Sequence, residues 1–323
     1  MALLALIFVI MHLGAGLVLP YKPGFLPYYY RWMEESGLDF EKRLNRSERP
    51  QSVRLVRGIG MGLLMGILSG IIGFMIWYAG RYGSVGIVLP LIFLSCCVTF
   101  MTPMKVVRQI EKSLETEEGL PLAKAALQPY VAEPLANEDV HTVIRKTIEF
   151  IAVSLNQFLL APIFWFIIAG PVGLSLYVTY SALRRACGLP DGRRIYFGQF
   201  VRGVDTVMNI IPAAVSTFFL MISALFVSGS NPWRAAVTVF QQSRKYQFFY
   251  PGWLITALAG GLGVTLGGPV RYSEKYSENN EWVGPQGSTA RLLPEDLSRA
   301  ALLQYSFFMC TVIFISVLII LKT

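Results

Sequence analysis

Arg202, Asp205 and Asn209 lie at i, i+3 and i+7 in the stretch FGQFVRGVDTVMNIIP, residues 197–212. On a helix they share one face. The stretch leads from a basic loop, 184–194, into the apolar run 213–227. A charged pair and an amide carried into such a run are costly unless partnered, which marks either a functional site or an interfacial anchor. Glu149, Asn156 and Gln157 are also set near or inside an apolar unit. At that depth the commoner use of polar groups is to join helices through hydrogen bonds. The glycine-rich run 254–269 ends in Gly267-Gly268-Pro269. It suits close helix packing and a C-terminal stop. As a phosphate cradle it lacks a preceding strand and a following Lys-Ser/Thr pair.

These residues need a membrane-embedded frame. Of 323 residues, 54% are hydrophobic and 15% charged, with mean hydropathy +0.51. A soluble domain carries roughly 25% charged residues, so the composition describes an integral membrane protein. The net charge of +8 fits basic loops on the cytoplasmic side. It gives no case for nucleic acid, since the basic residues are spread over several loops without an aromatic stacking surface. Cys96 and Cys97 are adjacent in an apolar run and Cys187 and Cys310 are isolated, so the cysteines form no framework. His12 and His141 are too few and too scattered for a histidine metal site.

The elements follow in order. Residues 2–19 are apolar and lack the basic start of a secretory signal. They read as a retained first span with its N-terminus outside, followed by a basic loop. The second span, 58–80, carries Gly62, Gly66 and Gly70 at every fourth position, the spacing that lets helix backbones approach closely. A third span is expected at 85–101, and a polar, amphipathic, cytoplasmic segment at 103–148, with one helix over the charged run and another from Val131 to Ile144. Residues 149–183 are too long for one ordinary span and short for two. Pro162 and Gly170-Pro171 punctuate them, which predicts a broken or re-entrant hairpin. Residues 204–227 continue the opening stretch and, judged from the basic residues beyond them, re-enter. An interfacial segment at 233–252, a partial span at 254–268, a flexible loop at 271–291 and a final span at 304–321 complete the chain, with Pro294-Glu295-Asp296 able to start a helix. The expectation is an all-α polytopic helical bundle with cytoplasmic amphipathic helices, one membrane domain over 1–323. Its first partner is the lipid bilayer, and the expected location is a bacterial inner membrane.

Several segments together resemble the CobD/CbiB family of cobalamin-biosynthesis membrane proteins. They are Glu41-Lys42-Arg43-Leu44-Asn45, Ala161-Pro162-Ile163-Phe164, Phe197-Gly198 with Arg202, Asp205, Asn209 and Pro212-Ala213, then Ala259-Gly260, Leu262-Gly263-Val264 and Leu266-Gly267-Gly268-Pro269. The similarity is collinear from about Glu41 to Ala301. The resemblance implies an adenosylcobinamide-phosphate synthase-like activity, which joins an aminopropanol (phosphate) to a propionate of adenosylcobyric acid as an amide. It also implies an ATP- and Mg²⁺-dependent reaction and a corrinoid partner. Glu149 and Asp205 would be the catalytic carboxylates, Arg202 would pair with a phosphate or corrinoid carboxylate, Asn209 would orient it, and the Gly267 and Gly268 backbone would approach the substrate.

The chain also departs from the family pattern. An acidic Glu-Asn-x-x-Asp stretch is replaced by Val153, Ser154 and Gln157, an Asp-Ser pair by Arg184-Arg185, and the second acid of an Asp-Asp pair by Thr206. Mg²⁺ prefers carboxylate oxygens, and in the enzyme reading the two surviving acids, Glu149 and Asp205, would have to hold it, a thin basis for a metal-nucleotide site. The profile is also similar to AmpE, a regulatory membrane protein of the same superfamily. A catalytically degenerate signalling protein that binds a regulatory partner is therefore the alternative to the enzyme.

Overall fold

The computed structural model describes residues 27–81, 85–188, 194–245, 249–273, 276–278 and 281–321. The first expected span, at 2–19, and the turn at Pro190-Asp191-Gly192 lie outside them. The described helices are α1 (Tyr28–Leu44), α2 (Gln51–Ala79), α3 (Val85–Cys97), α4 (Met101–Ser113), α5 (Leu120–Leu127), α6 (Val140–Leu155), α7 (Ala161–Cys187), α8 (Gln199–Ser223), α9 (Pro232–Gln242), α10 (Phe249–Leu262) and α11 (Pro294–Ile320). A π-helical turn, Asn156–Leu160, joins α6 to α7. Five helical stretches among the described residues are long and apolar enough to cross a membrane: Gln51–Ala79, Val88–Ser113, Val140–Cys187, Gln199–Phe226 and Pro294–Val317. The protein is an all-α, multi-pass membrane protein.

The stretch Val140–Cys187 turns back on itself. Gly170 has φ 62° and ψ −153° and precedes Pro171, so α7 is two helical limbs meeting at that point. Glycine adopts this φ without a Cβ penalty, and the proline cannot donate the hydrogen bond that would continue the helix. Gln157 Nε2 donates to Ser181 Oγ at 3.0 Å across 24 residues. In one straight helix those residues would be about 36 Å apart. The broken hairpin is therefore observed, with its break at the Gly-Pro pair.

Glycines of α2 let the hairpin and α8 pack closely. A Cβ at Gly62 would stand 2.6 Å from the Phe200 ring, and one at Gly73 would stand 2.6 Å from Val172 Cα and 2.7 Å from the Pro171 carbonyl oxygen. Hydroxyls complete the seam. Tyr180 OH donates to the Gly62 carbonyl at 3.2 Å, and Ser175 Oγ donates to the Ser69 carbonyl at 2.9 Å. The Tyr29 hydroxyl donates to Ser69 Oγ at 3.1 Å, bringing in α1. On the other side of α2, Leu63, Leu64, Ile67, Leu68 and Ile71 are exposed, as lipid-facing residues of a span are.

Five features differ from the sequence reading. The charged run beyond 103 does not leave the bundle at once: α4 buries Val106, Val107 and Ile110, and its amphipathicity comes from packing one face. Residues 131–135 are not helical, and the next helix starts at Val140 behind Asp139. Residues 199–223 form one helix without reversal, in place of the expected re-entry. The glycine-rich helix stops at Leu262, where Gly263 takes φ 78°. The 271–291 region, expected to be a flexible loop, carries short strands. β1 (Leu266–Gly267) pairs antiparallel with β4 (Trp282–Val283), and β2 (Val270–Ser273) with β3 (Tyr276–Glu278). As expected, Pro294, Glu295 and Asp296 open the last helix.

Asp139 caps α6 by accepting from the Thr142 backbone N–H at 2.8 Å. Hydrogen bonding from Thr142, side chain first and backbone second, holds the Asp139 carboxyl below its ordinary value of 3.8. The cap's contribution is therefore complete above pH 3.8 and is lost as pH falls through the lower folded-state value. Asp139→Ala is expected to cost about 1 kcal/mol at neutral pH, with a smaller cost in strong acid. Gly73→Ala is expected to destabilise by about 1–3 kcal/mol because the neighbouring atoms are backbone. Gly60→Ala, whose Cβ meets nothing within 4 Å, is expected to be neutral or to stabilise by up to about 1 kcal/mol. Thermal unfolding of the detergent-solubilised chain measures all three.

Candidate functional site

A cavity opens where α1, the segment 128–135, α6, the hairpin and α10 meet. It has two adjoining lobes, of about 190 and 350 Å³, that share Tyr130, Gln157 and Arg185 among their walls. The smaller lobe carries Glu133, Lys146 and Glu149. The larger carries Glu34, Arg184, Arg185 and Tyr250.

In the smaller lobe, Lys146 Nζ lies 2.9 Å from both Glu133 Oε1 and Glu149 Oε2. Lys146 and Glu149 are one turn apart on α6, and Glu133 comes from the preceding segment. Glu149 Oε1 also accepts from the Gly267 N–H at 2.8 Å. Two of the expected site residues, Glu149 and Gly267, are thus brought together. Gly268 lies beside them under the Trp282 ring, which a Cβ would approach to 2.6 Å. In this arrangement the Gly267 N–H is used on Glu149 and Gly268 makes room for an indole.

In the larger lobe, Arg185 ties the cavity wall together. Its Nε donates to Glu34 Oε1 at 2.7 Å, its Nη1 to the Tyr130 carbonyl at 3.4 Å, and its Nη2 to the Pro129 carbonyl. Tyr30 OH donates to the Ser181 carbonyl at 3.2 Å and accepts from Gln157 Nε2 at 2.7 Å. Burial pushes the Tyr30 phenol above its ordinary value of 10.0, so it remains a proton donor.

Behind Arg184 lies a buried polar chain. Arg184 Nη1 donates to Asp205 Oδ2 at 2.8 Å, and its guanidinium stands 5.0 Å from the centroid of the Tyr250 ring. Tyr250 OH donates to the same oxygen at 3.2 Å, and Asn209 Nδ2 donates to Asp205 Oδ1 at 3.1 Å. Asn209 Oδ1 accepts from Asn156 Nδ2 at 2.8 Å and Tyr177 OH at 3.1 Å, and Asn156 Oδ1 accepts from Ser216 Oγ at 2.9 Å. Asn156 stands on the π-helical turn, an irregularity frequent at functional sites. Asp205 and Asn209 therefore share a buried face, as expected. Arg202, from the same motif, instead turns to the start of the helix. Its Nη1 donates to the Gly188 carbonyl at 3.0 Å and its Nη2 to the Ile195 carbonyl at 2.6 Å.

The carboxylates do not fit a divalent cation. Glu149 and Asp205 have separate partner sets, and each of their four oxygens already accepts from a protein donor. Mg²⁺ requires near-octahedral oxygen ligation. Among the described residues, no group of three or more His, Cys, Asp or Glu side chains is placed to hold a metal.

Lys146, Arg184, Arg185, Glu34 and Glu133 were not among the expected site residues. The Lys146–Glu149 spacing on one helix face was a readable signal. The Arg184–Asp205 and Arg185–Glu34 pairs form only through tertiary folding.

A family model described as "CobD/Cbib protein" matches residues 15–303. Among curated proteins, the Cobalamin biosynthesis protein CobD of Leptospira interrogans is 28% identical over 157 residues, 49% of this chain and 50% of that protein. The chain thus matches about half the length of that relative. The namesakes from Sinorhizobium and Brucella anthropi are each 26% identical, over 72% and 74% of this chain and 72% and 73% of their own length. No solved structure matches.

Removing one partner of a buried ion pair leaves an uncompensated charge, at a typical cost of about 3–5 kcal/mol. Arg184→Gln and Asp205→Asn are each expected to destabilise strongly. The double variant should cost less than the sum of the two, with a coupling of about 1–3 kcal/mol in a thermal-unfolding mutant cycle.

Proposed function

The chain belongs to the CobD/CbiB family of cobalamin-biosynthesis membrane proteins, and on that footing we propose that it carries out the adenosylcobinamide-phosphate synthase-like step in a bacterial inner membrane. In that step an amino-alcohol phosphate is joined to a corrinoid propionate as an amide. The observation that carries the reading is a small cavity that offers carboxylates and guanidiniums together. Glu133, Glu149 and Lys146 line the smaller lobe, Glu34 and Arg184 line the larger, and Arg185 lines both. A short zwitterion lying across the lobes would set its ammonium toward the two glutamates and its phosphate toward the guanidiniums. Guanidinium forks match phosphate oxygens well.

Size supports the same ligand. Lobes of about 190 and 350 Å³ lie at or below the small end of ordinary ligand sites. A corrinoid macrocycle would remain at the mouth and extend one propionate inward. The chain's own residues then bind and orient. Arg184 and Arg185 hold the phosphate end, and Glu133 and Glu149 hold the amine. The glutamates take its proton as the nitrogen attacks a propionate carboxyl already activated by a nucleotide as a mixed phosphate anhydride. The C–O bond of that anhydride breaks and its phosphate leaves as the C–N bond forms. Holding amine and carboxyl in one cavity supplies proximity. Activation of the carboxyl by a nucleotide is chemistry for which this cavity's paired carboxylates offer no metal ligands.

The chain is expected to restore cobalamin formation in a bacterial strain lacking its own amide synthase. Glu133→Gln, which keeps side-chain size and removes one acceptor charge, is expected to lower that rescue at least about tenfold at equal membrane expression, the equivalent of ~1.4 kcal/mol. Failure of the unaltered chain to rescue, with expression confirmed, would overturn the proposal.

A further inference from the structure

We infer that the cavity binds its zwitterionic ligand directly, through Arg184 and Arg185, without a divalent cation. The inference rests on the amino-alcohol phosphate reading and adds to it the way in which the anionic end is recognised. A phosphate is held in a protein either by a metal ion carried on carboxylates or by positively charged side chains and backbone donors. The first route is closed here. Lys146 and the Gly267 N–H engage Glu149, while Arg184, Tyr250 and Asn209 engage Asp205. Lys146 also engages Glu133, and Arg185 engages Glu34. A cation bound at any of these acids would have to displace a lysine or arginine at contact distance.

The second route has its groups at the same place, each paired with one carboxylate. Arg184 and Arg185 are consecutive and line the larger lobe. Their side chains keep 15% and 27% of their surface accessible, whereas that of Asp205 keeps 1%. The anion-accepting groups thus face the cavity and the carboxylate stands behind. The cavity lining carries Glu34, Glu133 and Glu149 against Lys146, Arg184 and Arg185, three charges of each sign. A lining that cancels in total and offers both signs suits a zwitterion. It disfavours a polyanion such as a nucleoside triphosphate, whose charge a bound metal would otherwise have to offset.

The test is titration calorimetry of the full chain in detergent with 1-aminopropan-2-ol phosphate, once in excess EDTA and once with Mg²⁺ at millimolar concentration. The expected result is the same Kd within about twofold in both. Arg184→Lys keeps the ion pair with Asp205 but loses the fork, and Arg185→Lys does the same beside Glu34. At least one of them is expected to weaken binding about tenfold, and circular dichroism reports whether each variant is folded. Binding that appears only with Mg²⁺, binding unaffected in both folded variants, or no binding in either buffer would each overturn the inference. The rescue experiment stands apart. A chain that restores cobalamin formation yet requires Mg²⁺ to bind the probe keeps the proposed function and refutes the metal-free mode.

Discussion

The structure around the cavity depends on one buried carboxylate. Asp205 is 1% exposed inside a helix that crosses an apolar environment, and a lone charge there is prohibitive. Its contacts draw two other elements to α8, with Arg184 from the end of the hairpin and Tyr250 from the start of α10, and engage Asn209 one turn along its own helix. Through Asn209 the constraint reaches Asn156 on the π-helical turn and Ser216 further along α8. The hairpin, the crossing helix and the cavity wall are therefore held in one arrangement by the need to compensate a single charge.

That arrangement is possible only because the backbones can come close enough. The break at Gly170-Pro171 returns the chain so that Ser181 meets Gln157. The glycines of α2 admit the Phe200 ring and the returning limb of the hairpin. Dispersion packing between small residues sets the distances in such seams, and hydrogen bonds set the register. Both contributions are visible at Ser69, which receives hydrogen bonds from Tyr29, Ser175 and Thr179.

Much of this was legible in the sequence, for identifiable reasons. Apolar runs, the glycine repeat and the Gly-Pro punctuation are local signals, and they gave the helices, the close packing and the broken hairpin. The spacing of Asp205 and Asn209 placed them correctly on one face. Arg202 shares their spacing but not their surroundings: near the helix start, unsatisfied loop carbonyls compete for its donors, and it serves Gly188 and Ile195. Strands two to four residues long have too little pattern to announce themselves, so 271–291 read as loop. The charge pairs of the cavity join segments as far apart as 151 residues, and no periodicity encodes such a meeting.

The departures from the family pattern acquire a common physical sense once the pairs are seen together. Arg184 and Arg185 stand where the resemblance leads one to expect an acid and a serine, and Thr206 stands where a second acid would follow Asp205. A chain that had only lost acids would leave Asp205 supported by neutral donors. Here Arg184 faces Asp205 at 2.8 Å and Arg185 faces Glu34 at 2.7 Å. The result is a cavity whose charges cancel without a metal. Ion pairs between the hairpin and α8 and between the hairpin and α1 line a polar chamber in a chain otherwise built of apolar helices.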